Sequence, residues 1–185
     1  NTRTLIEPNK FAVKHIRDQN ISVHNRFLDD SFLENNQTKY DAVICRHVIE
    51  HIDDYGAFIK NLSLITSENG ILILETPSLE KILSIGLVRV LSLQHFQYFS
   101  VYSLSNAVIN NSPLRPLHID FVGTDFILYF NKNEQNDFYS KYANILDSKK
   151  LLTQNANAFE SLINNKNQEI SSLVTKWKKN QNKKI

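Results

Sequence analysis

Apolar positions along this chain fall into short runs separated by polar stretches, and their period changes from run to run. Residues 4–6 make a brief strand-like run closed by Glu7-Pro8. Proline cannot donate to a strand ladder but fits the first turn of a helix, so a strand is expected to stop there and a helix to begin. Phe11, Val13 and Ile16, with His15, then space as a loosely amphipathic helix reaching about residue 19. Residues 21–23 predict a second short strand, and residues 29–39 read as a polar loop. Residues 40–45 are almost continuously apolar over a strand's length, the pattern of a strand buried on both faces.

Tyr55, Phe58, Ile59, Leu62 and Ile65 return at helical spacing, with Asn69-Gly70 as the expected helix stop. Residues 71–74 form another fully apolar strand, ended by Thr76-Pro77. Strands alternating with helices over short connections imply parallel strands joined by helical crossovers. A short helix is expected over 103–110. Strands at 117–122 and 126–130 are separated only by Gly123-Thr124-Asp125, the spacing of an antiparallel hairpin. From residue 133 the pattern is helical, with Phe159, Leu162, Ile163, Ile170, Leu173, Val174 and Trp177 on one stripe. The expected division is therefore 1–132 as an α/β domain and 133–185 as a basic helical extension.

Composition adds three constraints. At 185 residues the chain can bury one sizeable core, and 42% hydrophobic with 22% charged residues is ordinary for a globular protein. Residues 149–185 carry eight lysines against Glu160 and Glu169, a local +6, so the rest carries −4 of the total +2. One cysteine, Cys45, rules out an internal disulfide framework and a multi-cysteine zinc site. The longest apolar candidate, 82–93, is interrupted by Ser84, Gly86, Arg89 and Ser92, and falls short of the roughly 20 residues that cross a bilayer. No signal peptide is read at the front, so a soluble cytoplasmic protein is expected. The sequence contains no methionine, even at position 1, so Asn1 is expected to lie within a longer polypeptide.

The order of elements, with the closing hairpin, resembles the class I S-adenosylmethionine-dependent methyltransferase fold. Tyr40-Asp41-Ala42-Val43-Ile44-Cys45-Arg46-His47-Val48-Ile49-Glu50-His51-Ile52 is similar to that family's fourth strand and following loop, and Ser67-Glu68-Asn69-Gly70 with the next strand to its fifth. Gln94-His95-Phe96-Gln97-Tyr98-Phe99-Ser100 resembles a segment of bacterial methyltransferases acting on sugars or cell-surface polysaccharides. The resemblance spans residues 4–132. It implies an α/β, Rossmann-like sheet, parallel with a C-terminal antiparallel hairpin. The family's first strand and its Gly-rich loop have no counterpart, because Gly56, Gly70, Gly86 and Gly123 form no G-x-G cluster. On this resemblance the missing elements lie upstream of Asn1.

The resemblance also assigns roles. S-adenosylmethionine is the implied cofactor, with the Glu7 carboxylate accepting from the ribose hydroxyls, as in dinucleotide sites, and Pro8 near the adenine. Phe27, Leu28 and Asp29 are expected around the adenine ring, and Arg46, His47 and Val48 at the methionine end. His51 and His95 are the candidate general bases, since imidazole titrates near neutral pH and can take the acceptor's proton during methyl transfer. Tyr98 is a candidate for the acceptor pocket. Residues 47–51 also match the H-x-x-E-H pattern of inverted zinc peptidases. That chemistry needs both histidines within a long helix, however, and here the pattern follows a strand. Some methyltransferases that the segment resembles hold a divalent ion through a Glu-His pair after the fourth strand, but they usually carry another Glu where this chain has His47; no metal is expected.

The expected partner is a small-molecule or glycan acceptor, with no nucleic acid and no transmembrane segment; the C-terminal helix offers homo-oligomerisation or domain docking. The rival expectation is a catalytically inactive methyltransferase-like scaffold, motivated by the absent Gly-rich loop.

Overall fold

The computed structural model describes residues 3–16, 20–87, 92–132, 137–146 and 148–181. Its strands are β1 (Arg3–Ile6), β2 (Ile21–His24), β3 (Tyr40–Arg46), β4 (Thr66–Pro77), β5 (Arg115–Val122) and β6 (Asp125–Asn131). β1 and β2 pair in parallel as one two-stranded sheet. The other four run in the order β3-β4-β6-β5, with β3 and β4 parallel and β6 antiparallel to both its neighbours. The expected hairpin therefore forms, and its second strand inserts between β4 and β5. Gly123 supplies the left-handed residue of the turn at φ 62°.

One face of the four-stranded sheet is the core. Val43 lies opposite Leu72 and Cys45 opposite Leu74, while Phe126, Leu128 and Phe130 continue the layer from β6. α3 (Tyr55–Ile65) seals it with Ile59, Leu62 and Ile65, and α5 (Val101–Asn111) with Val101, Leu104 and Val108. The other face is thinly covered. Ile44 is 62% exposed, with Ile71, Ile73 and Ile127 only half-buried. This corrects the expectation of a β3 strand buried on both faces. The apolar run is present, but neither a neighbouring strand nor a helix covers its outer side among the described residues.

Four further expectations need revision. The first helix is shorter than its spacing suggested: α1 is Lys10–Lys14, with Phe11 74% exposed, and residues 17–19 lie outside the described residues. The stretch 29–39 holds α2 (Asp30–Asn35), which Asp29 caps and which buries Phe32. A helix, α4 (Leu79–Ile85), follows β4, ending in Gly86 at φ 63°. Gly70 does not stop α3, which ends at Ile65. It sits within β4, where an added Cβ would lie 2.8 Å from Ser67 Oγ and 2.9 Å from the Tyr40 carbonyl, beside the register shift between Tyr40 and Ala42. The glycine is there for a close backbone approach.

Beyond residue 132 come α6 (Phe138–Lys141), α7 (Ala143–Leu146) and the 34-residue α8 (Ser148–Gln181). Phe138, at the start of α6, is fully buried in the main core. α8 runs beside α4. On the apolar stripe, Phe159 and Ile163 are half-buried, whereas Ile170, Leu173 and Val174 are exposed. The side chains of Leu162 and Trp177 lie outside the described residues.

Removing a ring from the shared layer leaves a void the sheet cannot close. Phe130→Ala is expected to cost about 3–5 kcal/mol, read as a lower urea midpoint at unchanged slope, while Phe11→Ala on exposed α1 leaves the midpoint within error.

Candidate active site

β3 and β4 pair in register to their ends, Cys45 opposite Leu74 and Arg46 opposite Glu75, so their carboxyl termini finish flush. Such an edge is where α/β sheets gather ligands. The Arg46 guanidinium straddles the Glu75 carboxylate, with Nε at 2.5 Å from one oxygen and Nη2 at 3.0 Å from the other. Glu75 is only 6% exposed. The guanidinium holds its carboxyl below the usual range, against a burial effect that pushes upward.

His47 comes next, at φ 49°, the only described non-glycine residue with a positive φ. Left-handed backbone is costly for such a residue and persists where surrounding structure fixes it. Here the His47 N–H donates to the Glu75 carbonyl at 2.9 Å. The turn aims the imidazole among three carboxylates: Nδ1 is 3.5 Å from Glu50, and Nε2 is 3.4 Å from Glu75 and 3.6 Å from Asp125. Val48 is 38% exposed, and the chain then dives inward, with Ile49 at 0% and Glu50 at 2%.

Residues Ile49–His51 form one 3-10 turn, not the long helix a zinc peptidase requires. The Glu50 side chain is buried, and its Oε2 accepts from Thr76 Oγ1 at 3.1 Å. Its carbonyl accepts from the N–H groups of Phe96 at 2.8 Å and Gln97 at 3.3 Å. These bonds fasten the 92–99 loop onto the turn and bring His51 and His95 together, their ring centroids 4.7 Å apart. The His51 Nδ1 meets the Gln94 carbonyl at 2.9 Å. Burial, then the neighbouring His51, holds the His95 imidazole below its ordinary range, which favours its neutral form. Tyr98 braces the same loop, its hydroxyl bonded to the Ser92 N–H and carbonyl. Cys45 beneath is pushed up to about 12 by burial and by Glu50, an un-ionised core thiol.

At the end of β1, Glu7 is half-buried. One oxygen accepts from the Asn9 N–H at 2.7 Å, and the other bonds to none of the described residues. Its N–H donates to the His24 carbonyl, tying the tips of β1 and β2 together, and Pro8 beside it is exposed. After β2, Phe27 is 65% exposed and Leu28 packs against the core. Asp29 caps α2, accepting from the Phe32 N–H at 2.8 Å and from Ser31 and Arg26. The Phe32 bond, foremost, keeps its carboxyl below the usual range. The structure thus gathers Arg46, His47, Val48, His51 and His95 on one edge, and gives Asp29 a structural occupation the sequence did not anticipate. Sequence reasoning missed Glu75 and Asp125. For Glu75, the apolar strand ending in a lone acid was the available signal.

A methyltransferase-domain family model matches residues 3–111 of the 185. Among curated proteins none matches the chain significantly. Solved structures share the fold at low identity. An S-adenosylmethionine-dependent methyltransferase from Archaeoglobus fulgidus aligns at TM-score 0.57 and 12% identity, over 69% of this chain and 74% of that one. One from Thermotoga maritima gives 0.55 and 16%, over 71% and 73%. The N-methyltransferase NodS from Bradyrhizobium japonicum, solved with S-adenosylhomocysteine, gives 0.52 and 12%, over 71% and 66%. The chain belongs to the methyltransferase-domain family. It is a class I enzyme domain of that family, and its cofactor is S-adenosylmethionine.

The Arg46–Glu75 pair carries a pH signature. A carboxyl whose folded-state value lies below its unfolded one adds stability above the ordinary Glu range, and loses it as pH falls through the depressed value. Arg46→Met is therefore expected to melt below wild type at pH 7. The gap should close below about pH 4, followed by thermal melts across the range.

Proposed function

We propose that the protein moves the methyl of S-adenosylmethionine to a hydroxyl- or amine-bearing small molecule or glycan, in surface-polysaccharide biosynthesis and in the cytoplasm. The observation carrying this reading is the flush end of β3 and β4, where Arg46, His47 and Val48 are followed at once by His51 and His95. The glycan assignment rests on the resemblance of residues 94–100 to sugar-acting relatives.

The residues present fit the cofactor. Glu7, half-buried at a strand tip with one oxygen free, suits the two ribose hydroxyls. The exposed Phe27 ring and the backbone of Leu28 suit the adenine, with Pro8 and the remaining oxygen of Asp29 at its rim. Arg46 is committed to Glu75, so the methionine end falls to the backbone of residues 46–48 and to the His47 imidazole. When bound, the cofactor supplies an electrophilic sulfonium methyl. The chain's own task is alignment, exclusion of water, and removal of one proton from the acceptor. His95, kept neutral by its surroundings, and His51 beside it are the groups for that proton.

The same proposal includes an upstream strand and Gly-rich loop. Its support is structural: β1–β2 and β3–β4–β6–β5 are separate sheets, and the outer face at Ile44 lies open where a parallel strand and a covering helix would sit. A 540 Å³ cleft between the sheets, lined by residues of β1 and β2 and by Tyr40, leaves room there. Under this reading residues 1–132 are the larger part of the catalytic domain and 133–185 an extension suited to docking or self-association.

Calorimetric titration of the full-length protein with S-adenosylhomocysteine tests the assignment. Micromolar binding that is lost in Glu7→Ala is expected. Absence of heat at every concentration would overturn it and favour an inactive scaffold. With a methylation assay in hand, His51→Ala and His95→Ala should each lower kcat by about 100-fold or more while leaving that binding intact.

A further inference from the structure

We propose that the distal part of α8 pairs with the same segment of a second copy of this chain, as an antiparallel two-helix coiled coil centred between Ile170 and Leu173. Along this part of the helix one series of positions recurs at alternating steps of four and three. It runs through Phe159, Ile163, Lys166, Ile170 and Leu173, and position 177, tryptophan in the sequence, comes next. That is the spacing of a heptad seam, narrower than the face a helix turns to a globular core.

The body covers only the start of this seam. α8 packs beside α4, and Phe159 and Ile163 are half-buried. Ile170, Leu173 and Val174 continue the same stripe at 57%, 64% and 44% exposure. A second helix laid along the stripe extends that packing beyond Ile163 and takes these side chains out of water.

Charge selects the partner and its direction. With Ile163 and Ile170 at a, and Lys166 and Leu173 at d, Glu169 and Lys176 both occupy g. Antiparallel helices bring g positions together, and charges there set partner choice and orientation. When Ile170 is level with Leu173 of the second copy, Glu169 falls beside Lys176 of the second copy, and the two-fold axis repeats the pair. Within one copy the Glu169 Oε2 accepts from Lys166 at 2.8 Å, while its Oε1 bonds to none of the described residues. Lys166 stands level with position 177 of the second copy, not with another lysine.

The alternatives are penalised. Sliding the pair by one heptad either way sets Glu169 against Glu169, or Lys176 against Lys176, and like charges so placed are repulsive. A parallel pair in register stacks Lys166 on Lys166 inside the seam and offers Glu169 only Val174 across it. A lipid surface suits the segment less, because Lys166 lies inside the apolar arc, where an interfacial helix keeps its charges on the opposite face. This pairing is the self-association proposed above for residues 133–185, and no part of it rests on the methyl-transfer chemistry.

Sedimentation equilibrium of the full-length protein at low ionic strength reads the pairing directly. A reversible monomer–dimer equilibrium is expected. Leu173→Glu, at a position exposed in the single chain, should leave only monomer, with the circular dichroism of the body unchanged. Glu169→Lys and Lys176→Glu should each weaken dimerisation at least about tenfold. The doubly reversed chain should return to within about threefold of wild type, because its pairs have only exchanged ends. Monomer at every concentration, a dimer indifferent to Leu173→Glu, or a double reversal that restores nothing would each overturn the pairing. So would monomer that instead pellets with vesicles of phosphatidylcholine and phosphatidylglycerol. Calorimetry of the Leu173→Glu chain with S-adenosylhomocysteine keeps the two readings apart, since cofactor binding needs no dimer and sedimentation needs no cofactor.

Discussion

The parallel pairing of β3 with β4 is the constraint on which the rest of this molecule depends. Its register sets Arg46 against Glu75 at the strand tips, and the same hydrogen-bonded edge forces the chain to leave β3 through a left-handed His47. A one-residue slip would exchange core for solvent along the whole strand, because side chains alternate faces. Val43 and Cys45, now facing Leu72 and Leu74, would be turned outward. Register is therefore enforced by the apolar layer, and site geometry is a by-product of that enforcement.

From the tip inward, the arrangement is built around one buried acid. Glu50 would be expensive in an apolar interior without partners. Its side chain rests on Thr76, and its backbone carbonyl anchors the loop that delivers His95. The 3-10 turn, the strand end and a loop more than forty residues later in sequence thus meet at one residue. Tyr98 stiffens the loop from within through Ser92. Polar groups this well connected orient one another, and that preorganisation is what a reacting centre requires.

Most of the architecture was legible in the sequence because its signals were periodic. The continuous run ending at Cys45, the helical spacing from Tyr55 to Ile65, and the turn at Gly123 each specify an element by a local rule. What escaped was set by tertiary context. α2 hides in a polar stretch because only Phe32 marks its buried side, and Asp29, read as a ligand contact, is its cap. Gly70 looked like a helix stop, yet serves a backbone approach to Tyr40 visible only once β3 and β4 are paired. In the site, residues adjacent in sequence, His47 to His51, were found by motif. Glu75 and Asp125 were not, because they join His47 only through β4 and its antiparallel neighbour.

α8 has a consequence of its own. At 1.5 Å per residue, its 34 residues make a rod of about 51 Å, longer than the strands are wide apart by an order of magnitude. It packs beside α4, with Phe159 and Ile163 half-buried, whereas the described side chains from 164 to 176 are all exposed. The helix therefore divides in two: a base that shares apolar side chains with the body, and beyond it a wetted span whose straightness its own backbone hydrogen bonds must maintain.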